Sequence, residues 1–363
     1  MLIAWVQCDI ISCMSKQSFL QRRWKLILNI VTALSLVGLA WALRHQLADT
    51  IANLAKVQVW ALLLLIPLEF LNYDAQTKMY QQLFAIVGNK LNYKKMFKLS
   101  LELNFVNSVF PSGGVSGISY FGMRMRSNDV TGARATLVQL MKLVLLFLSF
   151  EVLVLFGMIA MAAGNRVNGL VLLLAGSLTT VMVLGTMGFV YIIGSKRRIN
   201  AFFTNLTMVL NRVIHVVRPN HPETINIARA RETFDELHDN YVLFRNKLPE
   251  LRKPFVFALI ANLTEVLAIY VVYVAFGEWV NLGAVILAYA IANFAGFISV
   301  LPGGIGVYEA LMTGVLVIGG VPAALSIPVV VMYRVLNTII QLPPGYYYYQ
   351  RALREGKLES KEM

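Results

Sequence analysis

Apolar runs of membrane length recur along almost the whole chain, separated by short polar stretches. In order they cover about 26–43, 57–73, 99–123, 136–163, 170–194, 255–276, 282–319 and 323–349, with Trp24 and Trp41 as interface anchors of the first. The pattern predicts an all-α, polytopic helical membrane protein of about eight membrane segments.

Two of these runs are interrupted in the same way. Ser108-Val109-Phe110-Pro111-Ser112-Gly113-Gly114-Val115 in the third returns, one residue shorter, as Ser299-Val300-Leu301-Pro302-Gly303-Gly304-Ile305 in the seventh. Proline removes a backbone donor and paired glycines leave the backbone permissive, so both strings break a helix at membrane depth. Lipid does not tolerate exposed irregular backbone, so such a break faces protein or a water-filled cavity. Corresponding interruptions in two halves of a chain point to a transporter-type binding site built on an internal repeat. The plainer alternative is a pair of tight turns between ordinary spans.

Charge supplies the orientation. Lys16, Arg22, Arg23 and Lys25 precede the first run and predict a cytoplasmic N-terminus without a cleaved signal peptide. Lys78, Lys90, Lys94, Lys95 and Lys98 predict a cytoplasmic loop. Arg124, Arg126 and Arg134 follow the third run, so both its flanks are basic; a re-entrant hairpin from the cytoplasmic side satisfies both. The short link at 164–166 is then outside, and Lys196, Arg197 and Arg198 mark the return. From 254 to 333 there is no Lys or Arg, so counting replaces charge. The 277–281 turn is outer, and the run at 282–319 is an outer hairpin or two full crossings. Arg351, Arg354 and Lys357 close the last span on the cytoplasmic side. Under the hairpin reading the two breaks approach from opposite faces, as in an inverted repeat.

The predicted organisation is an N-terminal extension (1–20), a membrane domain (21–350), a cytoplasmic insertion within it (195–253) and a charged tail (351–363). The insertion carries eleven Lys and Arg. Ile199, Phe202, Phe203, Leu206, Leu210, Val213 and Val217 form the stripe of an interfacial amphipathic helix. After the turn at Pro219-Asn220-His221-Pro222, a second stripe comprises Ala230, Phe234, Leu237, Tyr241, Phe244 and Leu248. It packs on its own protein as a lid or docks a partner; amphipathicity does not choose.

Composition agrees with the pattern: 58% hydrophobic and 14% charged residues, with mean hydropathy +0.65, where soluble domains sit near half apolar and a quarter charged. The net charge of +13 lies mostly in loops between apolar runs, which membrane orientation explains. No basic reading helix or aromatic–basic stacking pattern implies nucleic acid. Cys8 and Cys13 both lie in the first fourteen residues and make no disulfide framework.

Ionisable groups inside membrane segments are functional candidates by default. These are Lys142, Glu151, Glu265, Glu309 and Arg334. The planar fork of Arg334 suits a lipid phosphate. The alternative is a structural pair with Glu265 or Glu309. Asn104, Asn107, Ser108 and Asn293 precede the breaks and either bind a headgroup or satisfy backbone groups freed by proline. Ala288, Ala292, Ala295 and Gly296 read as a helix-packing face, and Tyr346 to Tyr349 as an aromatic belt. Enzyme signatures are absent. Gly304-Ile305-Gly306-Val307 lacks a third glycine, Gly194-Ser195-Lys196 lacks phosphate-loop spacing, and Gly114-Val115-Ser116-Gly117 is one residue short of a nucleophile elbow. His45, His215, His221 and His238 show no metal spacing. No catalytic residue, metal or cofactor is therefore expected.

Leu301-Pro302-Gly303-Gly304-Ile305-Gly306-Val307-Tyr308-Glu309 resembles the signature of the lysylphosphatidylglycerol synthase transmembrane-region family, flippase-like membrane proteins of bacteria and archaea. Asn107 through Gly117 is similar to that family's first motif, and Arg334 matches a family arginine. The resemblance covers about 20–350. It implies re-entrant helical architecture and a role in moving or handling lipid-linked molecules across the cytoplasmic membrane. Full-length synthases add a soluble aminoacyl-transferase domain after this module; with only a short charged tail here, lysyl transfer is not expected. The binding set expected from breaks, charges and resemblance is Arg334, Asn107, Pro111, Gly113, Gly114, Pro302, Gly303, Gly304, Gly306, Tyr308, Glu309 and Glu265. The expected function is translocation of an anionic phospholipid or a polyprenyl- or glycan-linked lipid, with membrane lipids as partners. The alternative is a non-transporting scaffold for a lipid-modifying enzyme or glycosyltransferase. An ion pathway, suggested by Gly306-Val307-Tyr308, is weak for a single broken loop.

Overall fold

The computed structural model describes residues 44–55, 57–110, 115–126, 130–164, 167–202, 227–298 and 306–359, with single helical positions at 30, 34, 37, 38, 41, 204, 205 and 208. Among these residues the chain is helical between its turns and contains no strand. The helices are α1 (Arg44–Leu54), α2 (Val59–Leu62), α3 (Leu65–Ile86), α4 (Tyr93–Val109), α5 (Val115–Arg126), α6 (Gly132–Ala163), α7 (Gly169–Ile193), α8 (Ile227–Asn246), α9 (Arg252–Ala275), α10 (Leu282–Ile298), α11 (Val307–Ile318) and α12 (Ala323–Glu359). A 3₁₀ turn at Leu248–Leu251 leads into α9.

Local chemistry starts several of them. Asn92 accepts from the Lys94 amide (2.9 Å), Thr131 from Arg134 (3.3 Å) and Asn168 from Val171 (2.9 Å), each taking up a donor the first helical turn leaves open. Gly132–Ala163, Gly169–Ile193, Leu248–Ala275 and Ala323–Glu355 are long and apolar enough to cross a membrane. Along α7, Leu170, Leu172, Leu173, Leu184 and Met187 are all more than half exposed, as suits a lipid-facing helix. The chain is a polytopic helical membrane protein.

The described connections collect at two ends. At one, Arg134 at the start of α6 reaches Asn89 of the α3–α4 turn (3.4 Å) and Asn240 of α8 (3.2 Å), and Lys196 beyond α7 pairs with Asp239 (2.8 Å). Lys90, Arg126, Arg197, Arg198, Arg252 and Lys253 belong to chain segments at this end, which is therefore the basic one. At the other, the Gln58 amide donates to Ala275 (2.8 Å), Asn281 to Ala160 (3.2 Å) and Asn168 to Ile318 (3.2 Å).

In this arrangement each interrupted run contains two helices. α4 leaves the basic end and α5 returns to it; the two pack on each other. α10 leaves the opposite end and α11 returns there, again packed as a pair. With 12 residues each, α5 and α11 are about 18 Å long at 1.5 Å per residue, short of the roughly 30 Å of a hydrocarbon core. Each hairpin contributes to a separate apolar core. Leu99, Leu103, Phe105, Phe121 and Tyr349 belong to the one at the basic end. Val285, Ala288, Met312, Leu316 and Val330 belong to the other.

Several expectations change. Lys78 is not in a loop: α3 runs unbroken to Ile86, and Lys78 pairs with Asp74 one turn back (2.8 Å). The second apolar run is two helices, since the chain turns at 63–64 before α3 begins, and the basic stretch at 94–98 is the first part of α4. Tyr349 is not in an interfacial belt. It is 1% exposed and packs against Phe105, Phe110 and Tyr120, while Tyr347 stays outside. In the insertion, Ile199, Tyr241 and Phe244 are buried whereas Phe202 and Leu248 are exposed. Phe203, Leu206, Leu210, Val213 and Val217 lie outside the described residues.

Candidate functional site: a polar spine through the bundle

Three helices turn polar side chains toward one another inside the bundle. On α3 they fall at Glu69, Asn72, Gln76 and Tyr80, at helical spacing along one face. On α12 they are Tyr333, Asn337 and Gln341, four residues apart. Between them α9 presents Thr264 and Glu265. α3 and α12 are packed against α9.

The bonds form a nearly continuous line. At its upper part the Tyr333 hydroxyl donates to Glu265 Oε2 (2.5 Å), and Asn337 donates to the Tyr333 oxygen (3.3 Å). Gln341 then donates to Asn337 Oδ1 (2.7 Å) and to Glu69 Oε2 (3.0 Å), joining α12 to α3. One turn further along α3, Asn72 donates to the Ala261 carbonyl (2.8 Å) and to Thr264 Oγ1 (3.0 Å), joining α3 to α9. Gln76 donates to Asn72 Oδ1 (2.6 Å). Lys142 of α6 donates to Gln76 Oε1 (3.0 Å) and to the Tyr80 oxygen (3.1 Å), whose own proton goes to Gln139 (3.0 Å). Glu69, Asn72, Tyr80, Gln139 and Thr264 are buried. The spine thus runs from the level of Arg334 toward the basic end.

At the second break, Glu309 sits in the first turn of α11. Its Oε2 accepts from the Gly306 amide (2.7 Å), so the carboxylate closes back on the helix start it also favours electrostatically. Gly306 has φ +84°, a conformation that favours glycine. Glu309 Oε1 lies 3.3 Å from Arg334 Nε, and the guanidinium stands over the Tyr308 ring with 4.5 Å to its centroid. The structural pair anticipated for Arg334 is therefore made with Glu309. Glu265 binds Tyr333 instead, and is near enough to Arg334 to interact electrostatically.

The first break is built differently. Glu102, on α4 before the break, accepts from Tyr120 (2.7 Å) and from Arg124 Nε (3.0 Å), both on the arm that follows it. Asn107 is exposed on the last turn of α4, and Asn293 donates to the Tyr289 carbonyl of its own helix (3.0 Å).

Of the expected site residues, the structure brings Tyr308, Glu309, Gly306, Arg334 and Glu265 into one neighbourhood and leaves Asn107 apart. Pro111, Gly113, Gly114, Pro302, Gly303 and Gly304 lie outside the described residues. The sequence reading missed Glu69, Asn72, Gln76, Gln139, Asn337 and Gln341. The Glu69/Asn72/Gln76/Tyr80 spacing is the available signal; a second run ending at Tyr73 contains Glu69 and Asn72 but cuts off Gln76 and Tyr80. Among the described residues no three His, Cys, Asp or Glu side chains converge as a metal site would need.

The sequence profile of the lysylphosphatidylglycerol synthase TM region matches residues 26–345, and the chain belongs to that family. It is also similar to a UPF0104 membrane protein of Methanothermobacter thermautotrophicus, with 26% identity over 204 residues, 48% of this chain and 61% of that protein. The match thus spans less than two thirds of that relative.

Proposed function

We propose that this member of the lysylphosphatidylglycerol synthase TM region family is a flippase-like translocase for a lipid with a phosphate-bearing headgroup, either an anionic phospholipid or a polyprenyl- or glycan-linked lipid. The polar spine carries the reading. Polar side chains inside hydrocarbon are costly and tend to mark substrate or ion paths. Here they continue from helix to helix across α12, α3 and α6, instead of forming the isolated pairs that suffice to hold helices together. The two hairpins, attached at opposite ends, support re-entrant breaks approaching from opposite faces. By the positive-inside rule the basic end reads as cytoplasmic, and the proposal takes both ends of the chain to lie inside, with the protein in the cytoplasmic membrane. The reading requires no covalent chemistry. The scaffold alternative has less support, because α8 spends Tyr241 and Phe244 on its own bundle.

The test is translocation of a fluorescent phosphatidylglycerol analogue in proteoliposomes, scored by chemical quenching of the outer leaflet. Wild type is expected to exceed empty vesicles, and the Asn337→Leu/Gln341→Leu variant to lose most of that excess at matched reconstituted amount. Wild-type rates no higher than empty vesicles would sink the translocase reading.

A further inference from the structure

Two half-buried cations in the bundle have their own carboxylates: Arg334 has Glu309 and Arg124 has Glu102. Lys142 differs. It lies on α6 about 15 Å from the helix start at 1.5 Å per residue, half-buried between α3 and α6. Among the described residues, its Nζ meets two neutral oxygens, those of Gln76 and Tyr80, and no carboxylate. The Tyr80 ring lies 4.6 Å from Nζ, a contact that favours the ammonium form.

The surrounding bonds all run in one direction. The Asn72 amide nitrogen is committed to Ala261 and Thr264, so its oxygen must face Gln76. The Gln76 nitrogen is committed to Asn72, so its oxygen must face Lys142. The Tyr80 proton is committed to Gln139, so its lone pair must face Lys142. Thr264 in turn donates to Ala261, which ends the line on a backbone carbonyl. A lysine with two bonds keeps a third N–H. Neutral oxygens orient an ammonium without supplying a compensating charge. A membrane interior makes such a charge costly unless an anion meets it.

We propose that Lys142 anchors an anion site for a phosphate group, separate from the Arg334–Glu309 pair and toward the basic end of the spine. Gln76 and Tyr80 hold the ammonium so that its remaining N–H faces the ligand. A lipid headgroup and free phosphate share this chemistry. The site does not depend on lipid being moved, so it stands or falls apart from the translocase reading.

The experiment measures, in detergent solution, retention of dioleoylphosphatidylglycerol by native mass spectrometry and thermal stabilisation by inorganic phosphate, with dioleoylphosphatidylcholine as the lipid control. Lys142→Met removes the charge and keeps the apolar stem; Lys142→Arg keeps the charge. Retention of phosphatidylglycerol over phosphatidylcholine should fall about tenfold in Lys142→Met, the scale of one charge-assisted hydrogen bond, and survive in Lys142→Arg. That result assigns a lipid ligand. The same pattern with inorganic phosphate alone assigns a free anion and also upholds the site. Gln139→Glu keeps the acceptor for Tyr80 and brings a carboxylate near Lys142, so it should lower retention without unfolding the protein. It decides the matter if Lys142→Met does not fold. Equal responses of all variants to both probes, or no response by wild type to either, would overturn the proposal. Phosphatidylglycerol retention that depends on Lys142, together with translocation no faster than empty vesicles, would leave this site standing and remove only the transport reading.

Discussion

The two hairpins share a break and little else. α4 and α5 carry Lys94, Lys95, Lys98, Glu102, Arg124 and Arg126, whereas the stretch from α10 through α11 carries Glu309 as its single charged residue. The first hairpin closes on itself, with Glu102 of one arm holding Tyr120 and Arg124 of the other. The second is tied outward, with Glu309 reaching Arg334 of α12. Their docking differs too. At Gly283 of α10 an added Cβ would run into the Gly157 carbonyl of α6, so backbones meet directly. The first hairpin meets α12 at Gly345, where a Cβ would lie 2.7 Å from that of Phe105 and 2.8 Å from the Leu101 carbonyl. A hairpin with its own ion pair can keep polar arms at the basic end; one without it needs a neighbouring helix to neutralise its carboxylate.

The sharpest break of this contrast is Arg334→Ala. It strands the Glu309 carboxylate beside a helix start and should cost about 3–5 kcal/mol, read as a fall in thermal stability in detergent. The Arg334→Met/Glu309→Gln double variant should recover most of it. Lack of recovery would mean that the pair is not what stabilises α11.

Next comes Gly283→Val. The Gly157 carbonyl belongs to a rigid helix, so α10 must move away, at about 1–3 kcal/mol. Phosphatidylglycerol retention should be unchanged, since Lys142 lies elsewhere along α6. A silent Gly283→Val would show that α6 and α10 are packed less closely than described.

Smaller still is Glu102→Gln. The amide oxygen still accepts from Tyr120 but loses the charge facing Arg124, which is 30% exposed and partly solvated. The expected cost is about 1–2 kcal/mol. A double-mutant cycle with Arg124→Gln should give a weaker coupling than the cycle for Arg334 and Glu309. Equal couplings would erase the distinction between a self-closed and an outward-tied hairpin.

The smallest effect is Gly314→Ala on α11. An added Cβ there meets open space, so helix propensity alone acts and should stabilise by up to about 1 kcal/mol. A clear loss instead would place an unseen neighbour against that face.

Membrane class, the two interruptions and the basic end were legible from residue order, because each depends on local properties. Long apolar runs exclude water, Pro and paired Gly change the backbone where they stand, and Lys and Arg cluster at segment ends. The charged candidates Arg334, Glu309, Glu265 and Lys142 were visible for the same reason, a charge in an apolar run; Glu69 in the second run carried that signal too and was missed. Which carboxylate Arg334 would take was not visible, since Glu265 and Glu309 are equivalent until α9, α11 and α12 are placed around it. The spine was hidden more deeply. Asn72, Gln76, Gln139, Asn337 and Gln341 are ordinary polar residues in sequence, and only the rotation of α3, α6 and α12 about their axes turns them toward each other. Close contacts between residues far apart in the chain fix how α6 and α12 sit against their neighbours, Gly345 against Phe105 and Gly283 against Gly157 among them. Tertiary packing therefore decided the partners, while the residues themselves had decided where the chain would break and what it would be dissolved in.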